Sequence, residues 1–233
     1  MTPPPLWAMA LTFGAYAVAL ALWRRGARQP LLNPTLLAIL LVAALLLATG
    51  GDLATYQRDA APVTLLLGPA VVALAVPIHR HADLLRARAG VLAGALAVGS
   101  MTTIVATLAI AAWLGAGPGT LLSLAPKSAT AAVSMAISAQ TGGVAALTGV
   151  VTVLAGITGA VAGPALLDAL GIRDPLARGF GLGLASHGIG TARAFQEGEA
   201  TGTAAGLAMG LNAVLTAVLV PLLLALLRLS PQS

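Results

Sequence analysis

The sequence predicts an all-α protein, a polytopic transmembrane helical bundle forming one integral membrane domain over residues 1–233. Three observations predict it. Hydrophobic residues make up 58% of the chain and charged residues only 8%, against about 25% charged in an ordinary soluble domain. Apolar windows near the ~20-residue length that spans a bilayer recur from end to end. Short arginine-bearing linkers separate the early ones, the pattern of cytoplasmic loops.

The windows are Leu6–Trp23, Pro34–Gly50, Pro62–Ile78, Gly90–Leu114, Thr120–Ala139, Val144–Leu167, Gly179–Phe195 and Thr203–Leu227. They predict about seven to eight hydrophobic segments. No Lys or Arg precedes the first, and Arg24, Arg25 and Arg28 follow it. That order fits a retained first helix with its N-terminus outside the cytoplasm, not a cleaved signal peptide. The linker after window three carries Arg80, Arg86 and Arg88, whereas Gly51–Ala61 carries one arginine and two aspartates. The first and third linkers are therefore expected in the cytoplasm. Gly68-Pro69-Ala70 recurs as Gly163-Pro164-Ala165, a short echo of the internal repeats common in transporters. Glycines four apart (Gly90/Gly94, Gly159/Gly163, Gly179/Gly183, Gly202/Gly206, Gly206/Gly210) predict close helix packing and, on the glycine-rich faces, a homodimer.

Windows five and seven are unlike the others and are expected to be broken or re-entrant. Window five holds Lys127, the only lysine, in Pro126-Lys127-Ser128. A cation among apolar neighbours is costly, and such residues mark ion or substrate paths. A half-helix starting at Pro126 places Lys127, Thr130, Ser134 and Ser138 on one face. Its positive N-terminal end would add to a cradle for a small carboxylate. Lys127 could instead snorkel to the interface. Window seven reads Ser186-His187-Gly188-Ile189-Gly190-Thr191-Ala192-Arg193. Gly188 and Gly190 predict irregular backbone there, which at membrane depth lines a cavity or is buried in protein. Ser186, Gly190, Arg193 and Glu197 share a face at helical spacing. His187 could carry a proton or pack between helices. Arg193 could serve a ligand or pair with Glu197. Asn212 is expected as a hydrogen-bond partner between helices.

Other functions find little support. The net charge of +5 is scattered over loops, so no nucleic acid is expected. There is no cysteine, and three histidines lack metal-like spacing, so no metal or cofactor is expected. Neither a nucleophile elbow nor a phosphate loop is present, which predicts a non-enzyme working by secondary or facilitated transport.

Pro126-Lys127-Ser128, Gly142-Gly143, Thr148, Thr158-Gly159-Ala160, Gly163-Pro164 and Ser186-His187-Gly188-Ile189-Gly190-Thr191-Ala192-Arg193-Ala194 resemble the LrgB/CidB family of bacterial membrane proteins. Leu207-Ala208-Met209, Pro221 and the stretch from Gly68 to Pro77 extend the resemblance over essentially the whole chain. It implies a multi-pass protein of the bacterial cell (inner) membrane that works with an LrgA/CidA-like holin-like protein. The family was first described as modulating murein hydrolase activity and autolysis. A plant relative is the plastidial glycolate/glycerate translocator, and some bacterial pairs are associated with pyruvate. The implied ligand is a small carboxylate anion. The site candidates are then Lys127, Ser128, Thr130, Ser186, His187, Gly188, Gly190, Thr191 and Arg193, with His187 also the proton-coupling candidate. A family glutamate is Ala136 here, so Lys127 lacks a carboxylate at that position.

Overall fold

A computed structural model describes residues 6–26, 32–66, 69, 72–227 and 229. Helix is the only regular secondary structure among them, as expected. The chain divides into two compact units, Met1–Ala75 and Val76–Ser233.

The first unit contains α1 (Leu6–Arg25), α2 (Pro34–Thr49), α3 (Leu53–Asp59) and α4 (Ala61–Leu65). Asn33 caps α2 by accepting from the backbone N–H groups of Thr35 and Leu36, and Pro34 needs no such partner. Gly50, at φ +64°, ends it in the left-handed conformation that glycine adopts cheaply. Asp52 caps α3 through Thr55. The Trp7 indole donates to Asp59 at 3.1 Å and the Thr12 and Tyr56 hydroxyls lie 2.8 Å apart, which ties α1 to α3. Window three is described only in part, and Gly68 and Ala70 of the repeated tripeptide lie outside the described residues, as does Arg28.

The second unit holds α5 (Ala75–Arg80), α6 (Ala82–Ala87), α7 (Ala89–Trp113), α8 (Pro118–Leu124), α9 (Ala131–Thr141), α10 (Ala145–Ala169), α11 (Pro175–Glu197) and α12 (Glu199–Leu226). The helices α7, α10 and α12 are apolar and 25, 25 and 28 residues long. At 1.5 Å per residue each exceeds the ~30 Å hydrocarbon layer. With α1 they are the described helices long and apolar enough to cross a membrane, and α2 is shorter.

Window seven is α11, and it folds back on itself. Arg178 Nε lies 2.8 Å from Glu197 Oε2, although 19 residues separate them. A straight helix would put them roughly 28 Å apart. The reversal occurs at His187, whose φ of 42° and ψ of −133° break the helix into two arms. Gly190 of the second arm packs on the Leu182 carbonyl and the Ser186 side chain of the first. The expectation that Gly188 and Gly190 form the break is corrected: both have ordinary negative φ, and the break falls on the histidine before them.

Window five folds back as well. Six residues, Ala125–Thr130, interrupt helix between α8 and α9. The backbone N–H of Val144 then donates to Ser123 Oγ at 2.8 Å, 21 residues back in the chain. The half-helix starts at Ala131, not at Pro126, because Ala125–Ala129 form successive turns. That start dissolves the face proposed for Lys127, Thr130, Ser134 and Ser138. Ser134 donates to the Pro126 carbonyl at 2.7 Å and closes the turn, while Ser138 accepts from Thr148 Oγ1 at 2.7 Å.

Contacts along α10 fix the depth of the second hairpin. The close neighbours Asp168 and Arg178, Gly163 and Leu182, and Gly159 and Ser186 show its first arm climbing α10 from the C-terminal end. The tip stops near Gly156, midway along that helix. Ion pairs gather the ends: Arg88 with Asp174 at 2.7 Å, Arg80 with Glu199 at 3.7 Å, and Arg178 with Asp168 at 2.6 Å. The starts of α7, α11 and α12 and the end of α10 therefore share one end of this unit. The first hairpin adjoins the other end of α10, where Ile104, Leu108, Leu122, Ile137, Val220 and Leu224 pack it between α7 and α12. Two hairpins thus enter from opposite ends.

Not all glycine pairs pack within the chain. Gly179 and Gly183 lie directly on the Thr201 and Ala205 backbone of α12. Gly90, Gly94 and Gly210 face open space.

Candidate functional site

The two tips meet at mid-depth, ringed by the midpoints of the three long helices. Asn212, fully buried halfway along α12, connects them. Its Nδ2 donates to the Ser128 carbonyl at 2.9 Å and to the Leu184 carbonyl at 3.2 Å. Both breaks withdraw helical partners from nearby carbonyls, and one amide satisfies a carbonyl from each. Ser100 of α7 donates to Asn212 Oδ1 at 2.7 Å and Thr216 does so at 3.3 Å, which fixes the amide's orientation.

At the second tip, His187 is buried and Nε2 lies 2.9 Å from the Thr152 carbonyl of α10. A carbonyl only accepts, so Nε2 carries the hydrogen, and in the neutral ring Nδ1 keeps the lone pair. A Cβ at Gly156 would come within 2.6 Å of the ring, so only glycine admits the imidazole there. Gly159 gives the same close approach to Ser186 Oγ. Thr191 donates to the His187 carbonyl at 2.8 Å, so its hydroxyl braces the reversal. Positive φ at a non-glycine residue is strained, by about 1–3 kcal/mol.

At the first tip, Pro126 and Ser128 are buried and Lys127 is half-buried. Ser128 Oγ accepts from Thr103 of α7 at 3.4 Å. Thr130 is the N-cap of α9 but makes no side-chain capping bond. Lys127 has no ion pair or side-chain hydrogen bond among the described residues. The free ammonium, the uncapped start of α9 and the start of the second arm of α11 together make a positive region suited to an anion.

The structure brings Lys127, Ser128, Ser186, His187 and Gly188 to the paired tips. It does not bring Arg193 there. The reversal sends Arg193 back along the second arm, where it meets Glu197 at 3.6 Å. Arg178 holds the same carboxylate more closely. Ser100, Thr103 and Thr152 were not expected at the site; their signal was only hydroxyl residues on otherwise apolar helices. Asn212 was expected as a hydrogen-bond partner between helices, and it is the link between the tips. No group of three or more His, Asp or Glu converges as for a metal among the described residues.

Apolar spanning helices and two opposed, discontinuous helical hairpins meeting at mid-depth define a class: a multi-pass integral membrane protein with an internal polar site. The sequence profile of the LrgB-like family matches residues 12–226, and the chain belongs to that family. It is 33% identical to the uncharacterized protein YwbG of Bacillus subtilis (strain 168), over 73% of this chain and 76% of that one. It is 34% identical to the uncharacterized protein YxaC of the same strain, over 81% and 82%. It is 25% identical to a protein named antiholin-like protein LrgB in Bacillus mycoides (strain KBAB4), over 85% and 86%. No solved structure matches the chain.

Proposed function

We propose that this protein is a transport component for small monocarboxylates of the glycolate, glycerate or pyruvate class, working by secondary or facilitated transport. The observation that carries the reading is the half-buried Lys127 ammonium at the tip of one hairpin, without an ion pair or side-chain hydrogen bond among the described residues, where Asn212 joins that tip to the hairpin that carries His187. Transporters with discontinuous helices bind substrate where half-helix ends meet near mid-membrane. In this reading Lys127 and the start of α9 hold the carboxylate. Ser128, Thr130 and Ser186 offer hydroxyls, and Gly188 and Gly190 let backbone approach. His187 takes up a coupled proton at Nδ1, the nitrogen its Thr152 bond leaves open. Arg193, joined to Glu197 and Arg178, closes the far end of the second hairpin.

Residues 1–233 would act as one domain in the bacterial inner membrane, N-terminus outside, with an LrgA/CidA-like partner. The same orientation places the Arg80, Arg88 and Arg178 end of the second unit in the cytoplasm, in keeping with the positive-inside rule. Proteoliposomes test the function. Wild-type protein, with the partner if required, should give saturable uptake of labelled glycolate or pyruvate, and Lys127→Ala should abolish it while remaining membrane-inserted. Normal uptake by Lys127→Ala refutes the assignment.

The name of the Bacillus mycoides relative favours a second reading, a non-transporting antiholin-like regulator of murein hydrolase activity. The tips would then be an assembly surface for the partner's helices. Altered lysis in cells without carboxylate flux in either preparation would select it.

A further inference from the structure

Arg178 and Glu197 fasten the two arms of α11 to each other at the end away from the tip. Arg178 Nε and Nη2 donate to Glu197 Oε2 and Oε1 at 2.8 and 3.3 Å. Among the described residues no other side-chain hydrogen bond joins the first arm, residues 175–186, to the second, residues 188–197. The two side chains are only 13% and 15% exposed. Parting such a pair ordinarily strands two charges away from water. Here each charge has a second partner on its own side. Arg178 Nη1 donates to Asp168 Oδ1 of α10 at 2.6 Å and to the Ile172 carbonyl at 2.9 Å. Glu197 Oε1 lies 3.6 Å from Arg193 Nη2, one turn back along the second arm. Asp168, Arg178, Glu197 and Arg193 therefore form a row of alternating sign. Divided in the middle, it gives two neutral pairs, one staying with α10 and the first arm, the other with the second arm.

The arms are also attached differently. The first arm lies with Gly179 and Gly183 against the α12 backbone, and α10 receives its Leu182 and Ser186 at Gly163 and Gly159. The second arm meets α12 through side chains, Phe195 on Gly202 and the Thr191 hydroxyl 3.8 Å from Met209 Sδ. It meets the first arm through small residues, Gly190 and Ala194, beside Leu182. Its end passes into α12 through Gly198, where the helix is interrupted. A single interrupted position between two helices is where a hinge absorbs backbone change.

We infer that the second arm of α11 is a lid over the His187 tip, latched shut by Arg178 and released when Arg193 takes over the Glu197 carboxylate. The inference rests on the transport reading above and deepens it, because a site enclosed at mid-depth needs a way in from the charged end. It also gives Arg193 a task away from the tips, as the counter-charge that travels with the lid. Opening exchanges one ion pair for another and leaves neither charge bare, which makes the arm a two-state element.

Backbone hydrogen exchange followed by mass spectrometry tests this on the full chain in nanodiscs without ligand. Glu197→Gln keeps an acceptor for Arg178 but removes the charge, so amides of residues 188–197 should exchange about tenfold faster. Those of residues 175–186 should not change. Arg193→Gln should act in the opposite direction. Arg193 is a distant second partner in the closed arm and the main one in the open arm, so its loss costs the open state more, and residues 188–197 should exchange roughly threefold more slowly. Arg80→Gln, which breaks the exposed pair with Glu199 outside the row, should leave both arms at wild-type rates. Unchanged exchange in Glu197→Gln overturns the inference, and so does equal loosening of both arms. Unchanged or faster exchange in Arg193→Gln overturns it as well, because the row would then be a brace and not a latch. If Glu197→Gln does not assemble, Arg193→Gln decides alone. No substrate enters the measurement, so its failure leaves the transport reading standing, and that reading fails separately if wild-type protein takes up no carboxylate.

Discussion

The two hairpins solve one problem in different ways. The first turns through six residues, and its single charged group has no ion pair or side-chain hydrogen bond among the described residues. The second turns at one strained residue and packs its ring against a glycine, with a backbone carbonyl on Nε2. A loose tip with an unpaired cation suits a group that must exchange water for ligand. A tight tip suits a group whose position and tautomer must not vary. The difference teaches that one binding region can divide its labour, with available charge on one arm and fixed geometry on the other, provided something holds the arms together.

The largest expected effect comes from removing that connection. Asn212→Ala leaves the Ser128 and Leu184 carbonyls unpaired and should cost about 2–6 kcal/mol, at 1–3 kcal/mol for each buried orphan. Hydrogen exchange followed by mass spectrometry should show both tips loosening together. Loosening of one tip alone would break the comparison, because the hairpins would then be independent.

Lys127→Met comes next and probes the loose tip. Removing a charged hydrogen-bonding partner costs about 1.5–3 kcal/mol of ligand interaction, so uptake at subsaturating substrate should fall roughly 10- to 150-fold. Thermal stability should not fall, because no protein group among those described loses an ion pair or side-chain hydrogen bond with it.

His187→Gly probes the tight tip. It relieves about 1–3 kcal/mol of backbone strain and forfeits about 0.5–1.5 kcal/mol of hydrogen bonding to Thr152. On these two contributions the variant should lie between about 0.5 kcal/mol less and about 2.5 kcal/mol more stable than wild type in denaturant titration, yet be inactive in transport. A marked loss of stability would show that the ring holds the fold, not the site.

The smallest effect lies at the charged end. The Arg88 guanidinium, with the backbone N–H groups of Ala177 and Leu176, holds the Asp174 carboxyl below its ordinary range. A depressed carboxylate stabilises the fold above its unfolded pKa of ~3.9, and that contribution disappears as pH falls through the folded value. For this exposed pair it should stay below about 1 kcal/mol. Arg88→Gln should remove it, flattening the acid limb of a stability–pH profile without altering glycolate affinity at pH 7.

Much of this arrangement was legible in the sequence, and what was not has a physical cause. Lys127 and the Ser186-His187-Gly188 stretch stand out because polar groups interrupt apolar runs, which is a local signal. The start of α9 was misplaced by five residues because Pro126 is equally at home in a first helical turn and in a tight turn. The break in α11 was assigned to glycines by their freedom of backbone. The strained conformation instead belongs to His187, while Gly190 is needed where the arms touch. Arg193 and Glu197 looked like neighbours on one helical face, and they are. Only the fold-back reveals that Arg178 competes for the same carboxylate. Thr152 and Asn212 acquire their meaning from partners 35, 84 and 28 residues away. No periodicity in a single helix encodes such distances.

The location of Asn212 also has a consequence for biosynthesis. It lies on α12, which follows both hairpins in the chain. A ribosome delivers Lys127 and His187 to the bilayer before it delivers the amide that joins their loops. Until α12 inserts, two polar tips must wait in or near the membrane with carbonyls unmet, a state open to chaperones, proteases or a partner subunit. Assembly of the centre therefore waits for α12, and quality control has a natural place to act.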